Sequence, residues 1–347
     1  MVSGHRPFCR PVILFLLFAM LLALGIGIVL AHAPLSVGPN EGITGATLIS
    51  SPEKSFVLYT GLDGDGEAQY YRFPLKKGQV LYGSLQVPGP DSAVVDLVII
   101  GPGIDPAGNV PLSVDVPAGS GAMLVQGKEP QKPSYEPFTP QPIYETARFN
   151  VTAPETGDYY IAVAGPGGAQ YSLAPGLKEE FTAAEWLLIP WSVISIHLWE
   201  GQSPAVVFAP LVIVVAGGLV LAVLYRKKQG MNRDPVLWLI LVAGLLYLGG
   251  AAMTGLQVVH TVLRTGYSPG VLLTLIFLAG PFILGIFAVR AGIQSPGPDP
   301  SLMSGVAMAL TGVLGLLLWA GLIIGPVLAL AGSAVILVRS VVRPGAA

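Results

Sequence analysis

The chain has 347 residues, of which 52% are hydrophobic and only 11% charged, against roughly a quarter charged in an ordinary soluble domain. That balance excludes a simple water-soluble enzyme and indicates a membrane protein. The single cysteine, Cys9, excludes an intramolecular disulfide and a cysteine-based zinc site.

Residues 34–180 carry 16 of the 20 acids and 8 of the 18 bases, a local charge of −8. The rest of the chain holds 10 bases and 4 acids, or +6, so the overall −2 hides an acidic half and basic flanks. An acidic surface is a poor match for nucleic acid, whose phosphates need clustered Lys and Arg.

Residues 1–33 begin with His5, Arg6 and Arg10, run apolar from Pro11 to Leu30, and end Ala31-His32-Ala33. A basic start, an apolar run and a small-x-small end predict a signal peptide cleaved after Ala33 or, given the length of the run, an N-terminal anchor helix. Either way residue 34 onward is exported.

Residues 34–180 alternate short apolar runs with turns. SFVLYTG, AQYYRFPL, QVLYGSLQV, VVDLVIIG, AMLVQG, TARFNVTA, DYYIAVAG and AQYSLAP are separated by segments such as DGDG, KKG and PETG. Eight strands with Gly/Pro/Asp punctuation predict an antiparallel β-sandwich large enough for its own core. Glu129–Tyr144 (EPQKPSYEPFTPQPIY) is proline-rich and predicts an extended loop, since proline cannot serve a central strand. Its aromatics Tyr135, Phe138 and Tyr144 are the candidate partner contact, with an ordinary exposed loop as the alternative.

Across residues 56–174 the runs DGEAQYYRFPLKKGQVL, VVDLVIIGPG and PETGDYYIAVAGPGGAQYSL resemble the pre-peptidase C-terminal domain, a small secreted β-sandwich. The chain departs from that family in its proline-rich insertion and in having no attached peptidase. The resemblance implies a binding or spacer module and carries over no catalytic residue.

Residues 181–204 hold three of the five tryptophans, Trp186, Trp191 and Trp199. Trp favours the headgroup level of a bilayer, so this segment predicts an interfacial helix that lies on the membrane rather than crossing it. Residues 205–347 then predict five transmembrane helices at 206–225, 235–259, 271–289, 304–320 and 322–338, each near the ~20 residues a span requires. With the sandwich outside, inner loops hold Arg226, Lys227, Lys228, Arg233, Arg290, Arg339 and Arg343, and outer ones only Arg264. The positive-inside rule therefore places the sandwich outside the cell membrane and the C-terminus in the cytoplasm. Fold class: a multi-domain membrane protein, an antiparallel β-sandwich ectodomain on an α-helical bundle of five transmembrane helices.

Chemistry is sparse. The five spans contain no ionisable residue away from their ends, which disfavours ion-coupled transport. Their polar groups, Tyr247, Thr254, Thr274, Thr311 and Ser333, can satisfy themselves on helical backbone. Glycines such as Gly217, Gly244, Gly249, Gly312 and Gly325 permit close helix approach. They serve either self-association as a homo-oligomer or internal packing. His197 and His260, with Glu200, could ligate a transition metal if they converge; hydrogen-bonded interfacial histidines are the alternative. Asp63, Asp65 and Glu67 set three carboxylates at alternate positions, which suits calcium, or a solvated turn. No other cofactor is indicated. Asn150-Val-Thr152 is a glycosylation sequon.

The function these features predict is a non-catalytic, membrane-anchored surface protein. Its sandwich binds an extracellular or envelope partner, protein or glycan, or it serves as an accessory subunit of a membrane complex. The alternative is a transporter or lipid-handling membrane enzyme with its site at the outer interface, near His197 and His260.

Overall fold

The computed structural model describes residues 33–34, 40–178, 180–230, 234–293 and 302–342. The predicted signal or anchor segment, save Ala33, lies outside the described residues, as do Cys9, Arg233 and Arg343. The chain divides into a β unit, Ala31–Ser203 with His260–Val271, and a helical unit that includes Pro204–Val259 and Leu272–Ala347.

The β unit has eleven strands among the described residues: β1 (Ala33–Pro34), β2 (Thr47–Leu48), β3 (Phe56–Gly61), β4 (Ala68–Leu75), β5 (Val80–Val87), β6 (Asp96–Gly101), β7 (Gly121–Val125), β8 (Ser134–Glu136), β9 (Gln141–Thr152), β10 (Gly157–Ala164) and β11 (Gln170–Pro175). They form two sheets, ordered β1-β3-β11-β5-β9-β8 and β2-β4-β10-β6-β7. Pairing is antiparallel except for the two-residue strands β1 and β2. The eight runs expected as strands are β3 to β7 and β9 to β11.

Period-2 alternation places Tyr71, Phe73 and Leu75 of β4, Leu97 and Ile99 of β6, and Tyr159, Ile161 and Val163 of β10 on one face. Leu58, Leu81, Leu85, Phe149 and Leu173 meet them from the other sheet. Register pairs Phe73 with Tyr159 and Tyr71 with Ile161 across β4 and β10. Fully burying one such side chain is worth about 1.5–3 kcal/mol, so this face is the main source of stability.

One polar chain crosses that core. The Tyr171 hydroxyl donates to Gln69 Oε1 at 2.5 Å, and Gln69 Nε2 donates to the Gly61 carbonyl at 2.8 Å. With its only hydrogen so used, Tyr171 accepts from the Tyr71 hydroxyl at 2.8 Å. Burial pushes the Tyr71 phenol up to about 12, so the donor keeps its proton at any physiological pH.

The proline-rich insertion corrects the expectation of an extended loop. Ser134–Glu136 pairs with Gln141–Ile143 as a short hairpin, Tyr135 opposite Pro142. Proline is tolerated because β9 pairs with β5 only as far as Tyr144, leaving Pro142 with β8 alone, at the edge of the sheet.

Six α-helices follow among the described residues: α1 (Ala183–Trp199), α2 (Pro204–Gln229), α3 (Pro235–Thr265), α4 (Gly270–Ile293), α5 (Leu302–Leu317) and α6 (Ile324–Val342). Four of them, α2, α3, α4 and α6, are long and apolar enough to cross a membrane. The expected five spans are therefore corrected. α5 has 16 residues, about 24 Å at 1.5 Å each, short of the ~30 Å hydrocarbon core. It stops where Trp319, Gly321, Leu322 and Ile323 take φ between 54° and 69°, a left-handed stretch that cannot continue a helix. The chain then doubles back, with Gly312 against Leu330 and Gly305 against Leu337, as an antiparallel α5–α6 hairpin.

Within the helical unit most of the described glycines are packed against this chain's own helices. A Cβ on Gly218 would meet Leu245, on Gly249 Leu211, on Gly285 Leu248, and on Gly332 Ile240, each within 3 Å. Gly217 has nothing within 4 Å. The buried hydroxyls bond helical backbone: Tyr247 to Thr311 O, Thr311 to Ala307 O, and Ser333 to Gly305 O.

Candidate functional site

α1 belongs to the β unit and is pinned to it at both ends. At its start, Thr182-x-x-Glu185 makes a capping box in which Thr182 Oγ1 accepts from Glu185 N and Glu185 accepts from Thr182 N. The same carboxylate takes the Lys54 ammonium at 2.7 Å, just before β3. At its end, Trp199 Nε1 donates to Thr60 O at 3.1 Å, and the Trp199 ring meets Tyr59 edge-on at 5.0 Å. Both pins flank one strand, so the helix is laid over the β3 side of its sheet.

Burial works against the charge of Glu185, but Lys54 and the two Thr182 bonds outweigh it and hold the carboxyl below its usual range. A lowered carboxyl pKa contributes stability that is full above the ordinary glutamate value, ~4.3, and is lost as pH falls through the folded-state value. The protection of the first-turn amides of α1 against hydrogen exchange, taken relative to their intrinsic rates, is therefore expected to fall between pH 5 and pH 3. Glu185→Gln should remove that acid-dependent step and loosen the turn at pH 7 by about 1 kcal/mol, the size of a lost cap. An unchanged acid profile in the variant contradicts the assignment.

Between the pins lies a narrow cleft of about 30 Å³. Ile189, Ser192, Val193 and Ile196 of α1 form its roof, one helical face at i, i+4 and i+7. Val57, Ile143 and Phe138 give it an apolar floor, and Tyr59, Glu136 and Gln141 a polar end. Gln141 Nε2 donates to the Tyr59 hydroxyl at 2.9 Å. Burial raises the Tyr59 pKa; the Gln141 bond opposes this, and the nearby Glu136 and Glu200 carboxylates add to it. The phenol thus stays protonated and can donate. Thr139 Oγ1, on the same wall, is enclosed without a hydrogen-bond partner among the described residues. The opposite face of α1 exposes Leu187, Leu188, Trp191 and Leu198.

Behind Tyr59 sits a second group. His197 Nδ1 and Glu200 Oε2 are 3.0 Å apart, with side chains 2% and 3% exposed. His197 Nε2 and Glu200 Oε1 have no hydrogen-bond partner among the described residues. His260, on α3, lies in the electrostatic reach of Arg264, Glu200 and His197. The two histidines and the acid expected to converge thus share one region. Among the described residues, however, no cluster of three or more His, Cys, Asp or Glu is arranged to hold a metal.

The other expected positions fall as follows. Phe138 lines the cleft and is 6% exposed, and Tyr144 is 5% exposed in β9. Neither offers a free aromatic contact, while Tyr135 is half-buried. The turn between β8 and β9 is held from α3, where Thr261 Oγ1 donates to Pro140 O at 2.6 Å. In the Asp63–Glu67 turn the carboxylates serve the backbone: Asp65 accepts from Gly167 N at 2.7 Å and Glu67 from Gly64 N at 2.8 Å. Asn150 is exposed on β9. Of the three tryptophans expected as interfacial anchors, Trp191 is exposed, Trp186 is half-buried against Phe181, and Trp199 faces the sheet.

Tyr59, Glu136 and Gln141 carried no motif. One signal was present: Val57 and Leu58, adjacent in β3, are both buried. An apolar pair on opposite faces marks a strand covered on both sides, here by the core and by α1. No known family model matches the chain, and no curated protein does.

Proposed function

We propose that the protein is a non-catalytic, membrane-anchored binding protein. In this reading its β unit, on the extracytoplasmic side, takes an aliphatic group of an envelope ligand into the cleft beneath α1. The observation that carries it is the cleft itself: an apolar trough closed by a helix pinned at both ends, with one acidic, hydrogen-bonding end. Such a narrow site suits the tip of an alkyl group whose head is a cation or hydrogen-bond donor, held by the Glu136 carboxylate and the Tyr59 and Gln141 side chains. The pre-peptidase-like strand pattern is consistent with a binding module.

Sidedness rests on charge. Arg226, Lys227, Lys228, Arg290 and Arg339 close α2, α4 and α6, and Arg339 bonds Asp234 at the start of α3 at 2.6 Å. These ends share one side of the bundle, which the positive-inside rule makes cytoplasmic. The α5–α6 hairpin returns the C-terminus to that side. A membrane-impermeant maleimide should label Lys77→Cys, at an exposed turn, in intact cells; labelling only after lysis reverses the topology.

The ligand reading is tested on the full chain in phosphatidylcholine nanodiscs, with hexylamine and hexanoate as probes and tryptophan fluorescence as the readout. Hexylamine is expected to give a saturable change at least tenfold tighter than hexanoate. Val193→Phe, which fills the roof, should abolish it, and Glu136→Gln should erase the preference between the two. No saturable change, or the same change in Val193→Phe, overturns the reading.

The buried His197–Glu200 pair, with Nε2 and Oε1 unpartnered, favours a second reading, a lipid-handling enzyme working beside Tyr59. It predicts that turnover of a phospholipid in the same nanodiscs is lost in His197→Gln.

A further inference from the structure

Among the described residues, Arg226 is the one Lys or Arg that is buried, at 5% exposure. It stands in the last turn of α2, inside the helical unit. Its Nη2 donates to the Gly292 carbonyl of α4, and its guanidinium lies 4.5 Å from the centre of the Trp238 ring of α3. Those contacts hold the plane in place without neutralising it. Nε and Nη1 are enclosed with no hydrogen-bond partner among the described residues.

A buried cation with unmet donors is costly, and such a group calls for a counter-ion. Among the described residues Asp234 is the acid whose charge is felt at Arg226. Its oxygens are already taken: Oδ2 accepts from Arg339 at 2.6 Å and Oδ1 from Val236 N at 3.0 Å. Among the described residues the surroundings are otherwise basic. Lys227 and Lys228 follow on α2 and are exposed, and Arg290 stands two residues before Gly292. A guanidinium with unmet N–H groups on two of its edges, in a basic rim at the end of a helix bundle, matches the oxygens of a phosphate.

We propose that Arg226 is the centre of a phosphate-binding site, filled by the headgroup of an anionic phospholipid that enters past Lys227 and Lys228. A choline headgroup carries its own cation and is excluded by the rim, so the site selects net-anionic lipid. Free phosphate has the same oxygens but no acyl chains to seat it among apolar helices, and is the weaker occupant.

The test is native mass spectrometry of the full chain released from nanodiscs of equal phosphatidylglycerol and phosphatidylcholine. Wild type is expected to retain one phosphatidylglycerol per chain, at least tenfold over phosphatidylcholine. Inorganic phosphate at 10 mM should not displace it; displacement assigns the site to free phosphate and overturns the lipid source. Arg226→Lys keeps the charge without the guanidinium's several N–H donors and should lose most of the preference, and Arg226→Gln all of it. Lys227→Gln with Lys228→Gln should weaken it only two- to threefold. Equal retention of both lipids by wild type overturns the proposal, and that measurement stands even if the Arg226 variants fail to fold. So does full retention in Arg226→Gln, which would assign the lipid to the surface lysines.

Discussion

Gly101→Ala is expected to destabilise the β unit by about 3 kcal/mol, the upper end for overpacking a core. A Cβ built on Gly101 would lie 2.2 Å and 2.5 Å from two carbons of the Tyr159 ring. That ring cannot step aside. It is fully buried, and its hydroxyl is fixed at the far end, donating toward Pro102 O at 2.8 Å and Glu155 O at 3.0 Å while accepting from Glu155 N. Nor can the strand move away. Gly101 pairs with Gly121, whose own Cβ would fall 1.8 Å from the Ile104 carbonyl oxygen. The substitution therefore has to shift β6 against β10, through the middle of one sheet. For a unit of this size the loss corresponds to a fall in Tm of about 6–12 °C. Near-ultraviolet circular dichroism of the tyrosines during urea unfolding reads it directly. In a Tyr159→Ala background, where the ring is gone, Gly101→Ala should cost less than about 1 kcal/mol more, so the two losses fall well short of adding. A Gly101→Ala protein within 0.5 kcal/mol of wild type means that the ring is not fixed as described.

The strands were legible because each is a short apolar run between turn residues, and local alternation decides which face is buried. What alternation cannot supply is the order of strands. β3, β11, β5 and β9 come from four distant parts of the chain, so Val57, Tyr59, Gln86 and Ile143 share a wall that no spacing reveals. The same limit hid β8: proline counts against a strand locally, and only the discovery that β9 runs past β5 makes Pro142 an edge residue. α1 shows the reverse case. Thr182-x-x-Glu185 is a readable cap, but its use of Lys54, 131 residues away, is not. His197 and Glu200 pair at i, i+3 on one helix turn, so their meeting follows from spacing, whereas His260 joins them only through the fold. In the helical unit, composition identifies apolar segments well. Length alone places the reversal near 321, since 304–338 is too long for one span, but it does not show that the first arm stops short of a full crossing. The backbone angles from Trp319 to Ile323 set that length.

Replacing Gly285 by leucine is expected to part α3 from α4 and to cost the helical unit more than 3 kcal/mol. Here the two backbones touch. A Cβ on Gly244 would lie 2.6 Å from Val289 N and 2.9 Å from Gly285 O, and one on Gly292 would lie 2.7 Å from Leu241 N. Gly285, Val289 and Gly292 follow at i, i+4 and i+7 on one face of α4, so the contact is a continuous seam. Water does not drive helices together inside a bilayer; close packing of this kind does, and it vanishes once a side chain holds the backbones apart. Alanine at position 285 would meet the flexible end of Leu248 at 2.8 Å and the Gly244 carbonyl at 3.0 Å, so about 1 kcal/mol is expected for it. Gly217→Leu is the control. Its Cβ points into open space, and α2 is the least covered of the four long helices, 11% of its span buried against 56% for α3. Unfolding in mixed micelles of increasing SDS content should rank Gly285→Leu far below Gly285→Ala, with Gly217→Leu within 0.5 kcal/mol of wild type. The same control separates the two uses of glycine. If Gly217→Leu leaves the fold intact but halves the mass of the particle in detergent, that open face joins two copies of the chain. If the mass does not change, the glycines serve the packing of a single chain.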